Sequence, residues 1–310
     1  MTDKPHPGGA GRIGTHPVAR VGYGSMQLFE TSPDDAIAVL RRAVELGVDL
    51  IDTASFYGPG EVNRRIRKAL APFPDDLVIV SKVGARYTGD EPIPLAPAQR
   101  PAELRAAVED DLSQLGIDRI PVVNLRRLDL GPGLRADGDQ IVDLDDQLAE
   151  MIALRDEGKI GGIGVSSVPL AILQRALPAG IACVQNSYSL MDRSQEEMLD
   201  VCAAENIAWV PYFPLGSAFP GFPKASDNAV VIDIAGTVGA TPAQVGLAWL
   251  LAHAPTALLI PGTRSIAHLE ENLGAGDVTL DAAAITRLDA VTAPGSSAMP
   301  DGNEGFLEQD

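Results

Sequence analysis

The chain has 310 residues, with 24 lysines and arginines against 42 aspartates and glutamates, and its formal net charge is −18. This charge repels phosphate backbones and anionic bilayers at long range, so we expect neither nucleic acid nor a membrane as a partner. An anionic ligand then needs a cation placed at its own binding site. The two cysteines, Cys183 and Cys202, lack the paired spacing of a zinc or redox motif, and we expect both to be buried thiols.

The N-terminal segment, residues 1–17, has no apolar run of the kind that signal peptides carry, and its composition predicts a flexible lead-in. The most apolar stretch, Val245 to Ile260, is too short for a clean membrane span. We therefore expect a cytoplasmic protein, present as a monomer or a weak homo-oligomer.

Eight short apolar runs follow, each bounded by turn residues and separated by segments with helical periodicity. Three helix starts are especially clear, because Pro33, Pro101 and Pro242 each stand at a first helical position before an apolar run of helical spacing. The predicted strands are Val21–Ser25, Asp49–Asp52, Leu77–Ser81, Ile120–Asn124, Gly162–Val165, Ala182–Gln185, Ala208–Pro211 and Ala257–Ile260.

Strand–helix units of about 25 to 45 residues predict an α/β protein with a (β/α)8 TIM barrel. The main competitor is a Rossmann sheet, whose fingerprint needs a third glycine after Gly22 and Gly24 that the chain lacks. We find no internal domain boundary. The pattern predicts a single domain over residues 18–292, with long βα loops and a C-terminal tail at 293–310 that either covers the barrel mouth or is disordered.

Polar side chains stand at the ends of the predicted strands, and in a barrel they face one mouth. Asp52 ends the second strand, Tyr57 follows in its loop, Lys82 ends the third strand and Arg126 the fourth. Each alone has a structural explanation, as a turn cap, a loop anchor or a solvated charge. Together they indicate proton transfer by a phenol, because a nearby ammonium favours phenolate and an aspartate keeps that ammonium charged. No nucleophile pair or metal-ligand spacing competes with this interpretation, which points to carbonyl–alcohol interconversion with a borrowed hydride.

Three segments in order, Asp52–Gly58, Val80–Lys82 and Ile260–Asn272, resemble the motifs of the aldo/keto reductase superfamily, and the likeness extends from about Val21 to Val291. The resemblance implies a (β/α)8 barrel that binds NADPH without a Rossmann domain. It also implies catalysis by an aspartate, a tyrosine, a lysine and a histidine, and assigns three of these roles to Asp52, Tyr57 and Lys82.

The fourth role falls on Arg126, because the chain reads Asn124-Leu125-Arg126 where the superfamily has its histidine. Arginine is permanently charged and does not shuttle protons, so we expect it to polarise the substrate carbonyl or to bind an anionic or phenolate oxygen. This variant resembles a bacterial subgroup that includes pyridoxal reductases. We expect Phe56, Tyr57 and Arg126 to contact the substrate.

The resemblance also implies a cofactor site along the barrel mouth. Ser166, Ser167 and Gln185 are expected at the nicotinamide carboxamide, Tyr212 on the nicotinamide face, and Arg264 at a phosphate beside a helix N-terminus. Tyr212 and Phe213 can also be interpreted as core aromatics. The other expected cofactor contacts are Gly24, Ser25, Met26, Asp52, Phe213, Pro214, Leu215, Gly216, Ser217, Pro261, Gly262, Thr263, His268, Glu271 and Asn272.

These observations predict an NADPH-dependent oxidoreductase that reduces a small aldehyde, pyridoxal-like, or a ketone to the alcohol, with Tyr57 as general acid. A ketoreductase of a sugar or secondary-metabolite pathway is one alternative. Another is an NADPH-binding sensor or regulatory subunit with little turnover. The sequence does not separate the substrates, because their recognition depends on loops at 87–100, 131–140 and 219–227 and on the tail.

Overall fold

The computed structural model describes residues 6–89, 94–130, 134–216 and 223–291, and the predicted tail at 293–310 and Ser217 lie outside them. The strands are β1 (Ala10–Ile13), β2 (His16–Ala19), β3 (Tyr23–Gly24), β4 (Leu50–Asp52), β5 (Val78–Val83), β6 (Ala85–Tyr87), β7 (Leu95–Pro97), β8 (Ile120–Arg126), β9 (Ile160–Ser166), β10 (Ile181–Gln185) and β11 (Ala208–Trp209). The helices are α1 (Pro33–Glu45), α2 (Glu61–Leu70), α3 (Pro101–Leu115), α4 (Leu144–Asp156), α5 (Leu170–Ala176), α6 (Glu196–Ala204), α7 (Ala229–Val238), α8 (Pro242–His253), α9 (Ile266–Leu273) and α10 (Ala282–Asp289).

Seven of the strands in the described ranges form one parallel sheet in the order β3-β4-β5-β8-β9-β10-β11. An extended segment at residues 257–262 closes this sheet, because it bridges both of its edges. Ala257 pairs with Trp209 on one side, and Leu259 pairs with Val21 on the other. The result is a closed barrel with helices outside it, which confirms the predicted (β/α)8 fold.

β3 and the closing segment at residues 257–262 approach too closely for side chains at the point where they meet. Gly24 pairs with Gly262. A Cβ on Gly24 would lie 2.5 Å from the carbonyl oxygen of Ile260, and one on Gly262 would lie 2.9 Å from the oxygen of Gly24. Glycine is therefore needed on both strands, and their backbones form a narrow cradle at the barrel mouth.

The predicted helix starts are present, and the structure shows what fixes them. The side chain of Ser32 accepts a hydrogen bond from the amide of Asp35 at the start of α1, and Thr241 and Gln244 form a capping box at the start of α8. Gly116 ends α3 in the left-handed conformation, at φ 70°. Local capping chemistry therefore determines these ends, which is why the sequence predicted them.

The N-terminal segment differs from its prediction. β1 and β2 form an antiparallel hairpin, so the flexible lead-in predicted for residues 1–17 is wrong for residues 10–17. Ile13 and Val18 bury their side chains among inward-facing barrel residues, and the amide of Ala19 donates to the carboxylate of Asp49, just before β4. The hairpin thus covers the N-terminal end of the barrel, and it forms because the barrel gives it apolar surface to cover.

Four further elements were not predicted: strands β6 and β7, which form a hairpin, and helices α7 and α10. Both cysteines are buried free thiols, as expected. No single helix in the described ranges is long and apolar enough to cross a membrane, although α7 and α8, which meet at a 92° bend, pass that test of length and composition as a pair.

Candidate active site

Asp52, Tyr57 and Lys82 meet at the carboxyl-terminal end of β4 and β5. The Lys82 ammonium donates to Asp52 Oδ1 at 2.6 Å, to the Tyr57 hydroxyl oxygen at 2.9 Å and to the carbonyl oxygen of Thr53 at 3.0 Å. Asp52 is 3% exposed and Lys82 is 6% exposed. All three protons of the ammonium are therefore directed, and one of them points at the phenol.

The electrostatics keep Lys82 charged. Burial acts to lower the pKa of Lys82, but the carboxylate of Asp52 and the phenolic oxygen of Tyr57 raise it, and the net direction is upward. A buried cation within 2.9 Å of the Tyr57 oxygen stabilises negative charge on that oxygen. The arrangement can therefore support proton transfer to and from a bound carbonyl compound.

Neighbouring segments hold this cluster in place. Ser25, which follows β3, donates both its amide, at 3.0 Å, and its hydroxyl, at 2.7 Å, to the carbonyl oxygen of Asp52. Gly58 follows Tyr57 in the left-handed conformation, and the ring of Phe29 occupies the space that a Cβ on Gly58 would need. Ser25, predicted to contact the cofactor, thus also anchors the end of β4.

A polar chain crosses the barrel interior behind Asp52. The side-chain amide of Gln185 donates to Asp52 Oδ2 at 2.9 Å, the amide of Asn124 donates to Gln185 Oε1 at 3.3 Å, and the Cys183 thiol donates to Asn124 Oδ1 at 3.2 Å. Burial raises the pKa of the Cys183 thiol, which stays protonated and serves as a donor. Gln185 was expected at the cofactor, and in the structure its amide orients Asp52. The roles of Asn124 and Cys183 were missed, although polar residues inside strands were a visible signal.

Arg126 ends β8 with its guanidinium over the ring of Phe56, 5.5 Å from the ring centre. Burial lowers the pKa of Arg126, and the phenolic oxygens of Tyr57 and Tyr212 act in the opposite direction. Its side chain makes no hydrogen bond or ion pair within the described part of the chain, whereas that of Arg127 binds Asp129 and Gln147. Arg126 therefore presents an uncommitted cation, meaning one whose hydrogen-bond donors are not used by any described residue, beside the phenol of Tyr57.

The ends of β9 and β11 form the next part of the mouth. Ser166 is 2% exposed, and its hydroxyl makes no hydrogen bond to any described residue. Ser167 has a left-handed φ of 56° and places its hydroxyl oxygen 3.4 Å from that of Tyr212. Tyr212 is half-buried and meets Phe213 edge to face, with 5.1 Å between ring centres. Pro214, Leu215 and Gly216 continue this loop, where the amide of Gly216 donates to the carbonyl oxygen of Phe213 at 2.9 Å.

A groove runs along the barrel mouth from Tyr212 to Arg264. Its far end is formed by the end of the closing segment and the residues that follow it. The Tyr23 hydroxyl donates to the carbonyl oxygen of Thr263 at 2.6 Å, which anchors a segment in which Pro261 and Thr263 are buried and Gly262 is exposed. Arg264 is exposed at the start of α9, where its guanidinium lies 3.3 Å from a carboxylate oxygen of Glu30.

The remaining predicted cofactor contacts lie nearby, and they differ in whether their side chains are exposed or already hydrogen-bonded. Met26 and His268 are exposed. The carboxylate of Glu271 accepts from Thr241 Oγ1 at 2.6 Å, which ties α9 to the start of α8. Asn272 is 8% exposed, and its side chain makes no hydrogen bond within the described ranges.

These features fit a dinucleotide cofactor. The groove has a side-chain-free cradle at Gly24 and Gly262, a hydroxyl on Ser166 that makes no hydrogen bond to a described residue, a half-buried ring on Tyr212 and an exposed cation on Arg264. A closed parallel barrel that brings this groove to a lysine-linked phenol has the construction of a carbonyl-reducing oxidoreductase.

The family is shown by comparison with known proteins. A model of the aldo/keto reductase family matches residues 20–293, and the chain belongs to this family. This confirms the resemblance that the sequence motifs carry. The protein is an oxidoreductase that acts on small carbonyl compounds.

Individual relatives extend the likeness. The chain is 42% identical over 288 residues to pyridoxine 4-dehydrogenase of Escherichia coli strain K12, covering 90% of this chain and 97% of that protein. It is 32% identical over 291 residues to an uncharacterized oxidoreductase of Schizosaccharomyces pombe, covering 91% and 89%. Among solved structures, an aldo-keto reductase from Klebsiella pneumoniae in complex with NADPH superposes with a TM-score of 0.75 at 27% identity, covering 90% of this chain and 93% of that one.

Proposed function

We propose that this protein is an NADPH-dependent reductase of small aldehydes, with pyridoxal the first substrate to test. The observation that carries the proposal is the placement of an uncommitted cation, Arg126, beside the Lys82-bound phenol of Tyr57. The likeness to a pyridoxine 4-dehydrogenase supports the same substrate class. Pyridoxal carries its aldehyde beside a phenolic oxygen, so one cation at the mouth can bind that oxygen while the aldehyde faces Tyr57.

Tyr57 is the general acid of the proposed reaction. When bound, the reduced nicotinamide cofactor supplies a hydride to the carbonyl carbon. The Tyr57 hydroxyl gives its proton to the carbonyl oxygen, and the Lys82 ammonium at 2.9 Å stabilises the phenolate that remains. Asp52, held by Lys82 and Gln185, keeps the ammonium charged and aimed. In the oxidation direction the same phenolate accepts the proton.

The cofactor would lie along the groove from Tyr212 to Arg264. Ser166 and Ser167 would bind the carboxamide, and Tyr212 would face the nicotinamide ring. Gly24, Gly262 and the loop from Phe213 to Gly216 would let backbone approach the diphosphate. The other proposed contacts are those predicted above, and among them Arg264 would bind the 2′-phosphate as a placed cation in a chain of net charge −18.

The test follows NADPH absorbance with pyridoxal and a panel of other aldehydes and ketones, using purified protein and its Tyr57→Phe variant. General acid catalysis contributes about 10²-fold to 10⁴-fold, so Tyr57→Phe should lower kcat by about that factor and leave the Kd for NADPH unchanged. Tyr188→Phe is the matched control, because the hydroxyl of Tyr188 donates to Glu196 at 2.9 Å and takes no part in the Lys82 cluster.

Three outcomes are informative. An active Tyr57→Phe variant would contradict its role as the acid. Turnover of ketones with none of pyridoxal would favour a ketoreductase of a biosynthetic pathway. Tight NADPH binding without turnover of any compound would favour a cofactor-binding sensor.

A further inference from the structure

A buried carboxyl group lies behind the candidate active site, on the helix side of the barrel wall. Asp111, on α3, is 0% exposed. Its Oδ2 accepts a hydrogen bond of 2.5 Å from the hydroxyl of Ser81, and its Oδ1 accepts one of 2.7 Å from the side-chain amide of Asn63 on α2. Burying a carboxyl group is costly unless its partners are well placed, so a residue of this type in the core calls for an explanation.

The hydrogen bonds around Asp111 form a closed ring that includes Lys82. Asn63 Oδ1 accepts from the hydroxyl of Thr53 at 2.7 Å, and the carbonyl oxygen of Thr53 accepts from the Lys82 ammonium at 3.0 Å. Lys82 is covalently linked to Ser81, which returns the ring to Asp111. Thr53, Asn63 and Ser81 are, like Asp111, 0% exposed.

The alternation of side chains along a strand explains why this ring reaches the chemistry. Successive side chains point to opposite faces, so Ser81 points toward the helices while Lys82 points toward the mouth. Asp52 and Thr53 divide the two faces in the same way at the end of β4. A group that binds the outward side chains therefore sets the positions of the inward ones.

We propose that Asp111 is a positioning residue for the reaction, holding the ends of β4 and β5 in the register that directs the Lys82 ammonium onto the phenol of Tyr57. The inference rests on the roles proposed above for Lys82 and Tyr57. Asp111 contacts neither substrate nor cofactor and acts only through Ser81, Asn63 and Thr53.

The charge of Asp111 gives the positioning a pH dependence. Burial raises the pKa of Asp111 to about 7, against the hydrogen bonds from Ser81 and Asn63. The charged groups that act on it are Asp110, which raises the pKa, and Lys82, which lowers it. The ring partners Asn63 and Thr53 are neutral. Above this pH the ring carries a negative charge on the helix side of the ammonium, which opposes formation of the phenolate at Tyr57.

The experiment compares Asp111→Asn with Asp110→Asn, which removes a neighbouring exposed carboxylate from the same helix. Displaced catalytic groups lower rates steeply, and we expect Asp111→Asn to lower kcat about tenfold, with the KM and Kd for NADPH unchanged. The inflection of kcat near pH 7 should disappear, and the alkaline limb for reduction should move to lower pH, because the charge that opposed the phenolate is gone. Asp110→Asn should keep the wild-type kcat, and its inflection should move to slightly lower pH without disappearing, because Asp110 raises the pKa of Asp111.

Ser81→Ala provides a second variant in case Asp111→Asn does not fold, because it removes one donor of the ring without changing any charge. It should lower kcat by about threefold, and the losses in the double variant Ser81→Ala/Asp111→Asn should be less than additive, as expected for partners in one network. Wild-type kcat and pH profile in a folded Asp111→Asn or Ser81→Ala variant would overturn the inference, as would an equal loss in Asp110→Asn. An active Tyr57→Phe variant would instead show that Tyr57 is not the general acid, and it would contradict the proposed function on which the inference rests.

Discussion

The side-chain amide of Gln185 donates a 2.9 Å hydrogen bond to Asp52 Oδ2 from the opposite wall of the barrel. Lys82 binds the other carboxylate oxygen of Asp52 at 2.6 Å. The carboxylate is therefore held at both ends, and its orientation does not depend on Lys82 alone. Asp52 in turn directs the Lys82 ammonium toward Tyr57. Gln185, on β10, therefore contributes to the geometry of Asp52 and Lys82, which lie on β4 and β5.

Gln185→Met tests this contribution, because it keeps the length of the side chain and removes its donor and acceptor. The change leaves Asp52 Oδ2 and the amide of Asn124 without a partner, which should cost about 1–3 kcal/mol of unfolding free energy and lower kcat. Urea unfolding and steady-state kinetics measure both effects. Cys183→Ala, a truncation at the far end of the same chain of contacts, should lower stability without lowering kcat. A wild-type kcat in Gln185→Met would remove Gln185 from the catalytic geometry.

The sequence predicts the Asp52, Tyr57 and Lys82 cluster because Asp52 and Lys82 end predicted strands and Tyr57 follows one of them, and a barrel brings such side chains to one mouth. It does not predict the partner of Gln185, since which residues face each other across a barrel depends on strand tilt and stagger. Gln185 was accordingly placed at the cofactor alone.

Asp111 and Ile13 show two other limits of prediction from the sequence. Asp111 lies three residues after Val108 and four before Leu115, on the buried face of α3, and a polar residue at such a position was the available signal. The burial of Ile13 depends on a barrel end that exists only after the other strands have assembled. Local patterns therefore predicted helix starts and strand ends, while contacts between distant segments required the structure.

Arg126→Met should change substrate selectivity. A hydrogen bond to a charged group is worth about 1.5–3 kcal/mol, so loss of the guanidinium should lower kcat/KM for pyridoxal by about tenfold to a hundredfold. Aldehydes of similar size without the phenolic oxygen should lose less. Arg127→Met is the matched control, because the Arg127 guanidinium is paired with Asp129 at 2.7 Å and its loss should affect stability without altering selectivity. Equal losses for both kinds of aldehyde would contradict recognition of the phenolic oxygen.

Arg264→Ala should weaken binding of NADPH by about tenfold and leave that of NADH nearly unchanged, because the cation would bind only the 2′-phosphate. Fluorescence titration of the purified protein measures both constants without turnover. Glu30→Gln is the informative comparison, since Glu30 lies 3.3 Å from the same guanidinium and competes for it. That variant should bind NADPH at least as tightly as wild type. Equal losses for both cofactors in Arg264→Ala would place the 2′-phosphate elsewhere.

The raised pKa of Asp111 has a consequence for stability. The folded-state pKa is about 7 and the ordinary value is 3.8, so between these pH values the folded protein keeps a proton that the unfolded chain has lost. Stability should therefore fall as pH rises from about 4 to 7, by up to about 4 kcal/mol from this group, and then level off. Urea unfolding of wild type and Asp111→Asn at pH 5 and pH 8 measures it. The stability of wild type relative to the variant should decrease between these pH values, and a constant difference would show that Asp111 does not titrate there.

Ile13→Ala separates the stabilising end of the barrel from its catalytic end. Ile13 is 0% exposed and packs among barrel residues at the end opposite to Tyr57, so truncation should cost about 2–5 kcal/mol of unfolding free energy. Arg12→Ala, at the adjacent exposed position of the same hairpin, should cost much less. Because the hairpin covers the end of the barrel opposite to the mouth, kcat and KM should equal those of wild type at a temperature where the variant is fully folded. A loss of kcat under those conditions would mean that the hairpin also sets the register of the strands that carry Asp52 and Lys82.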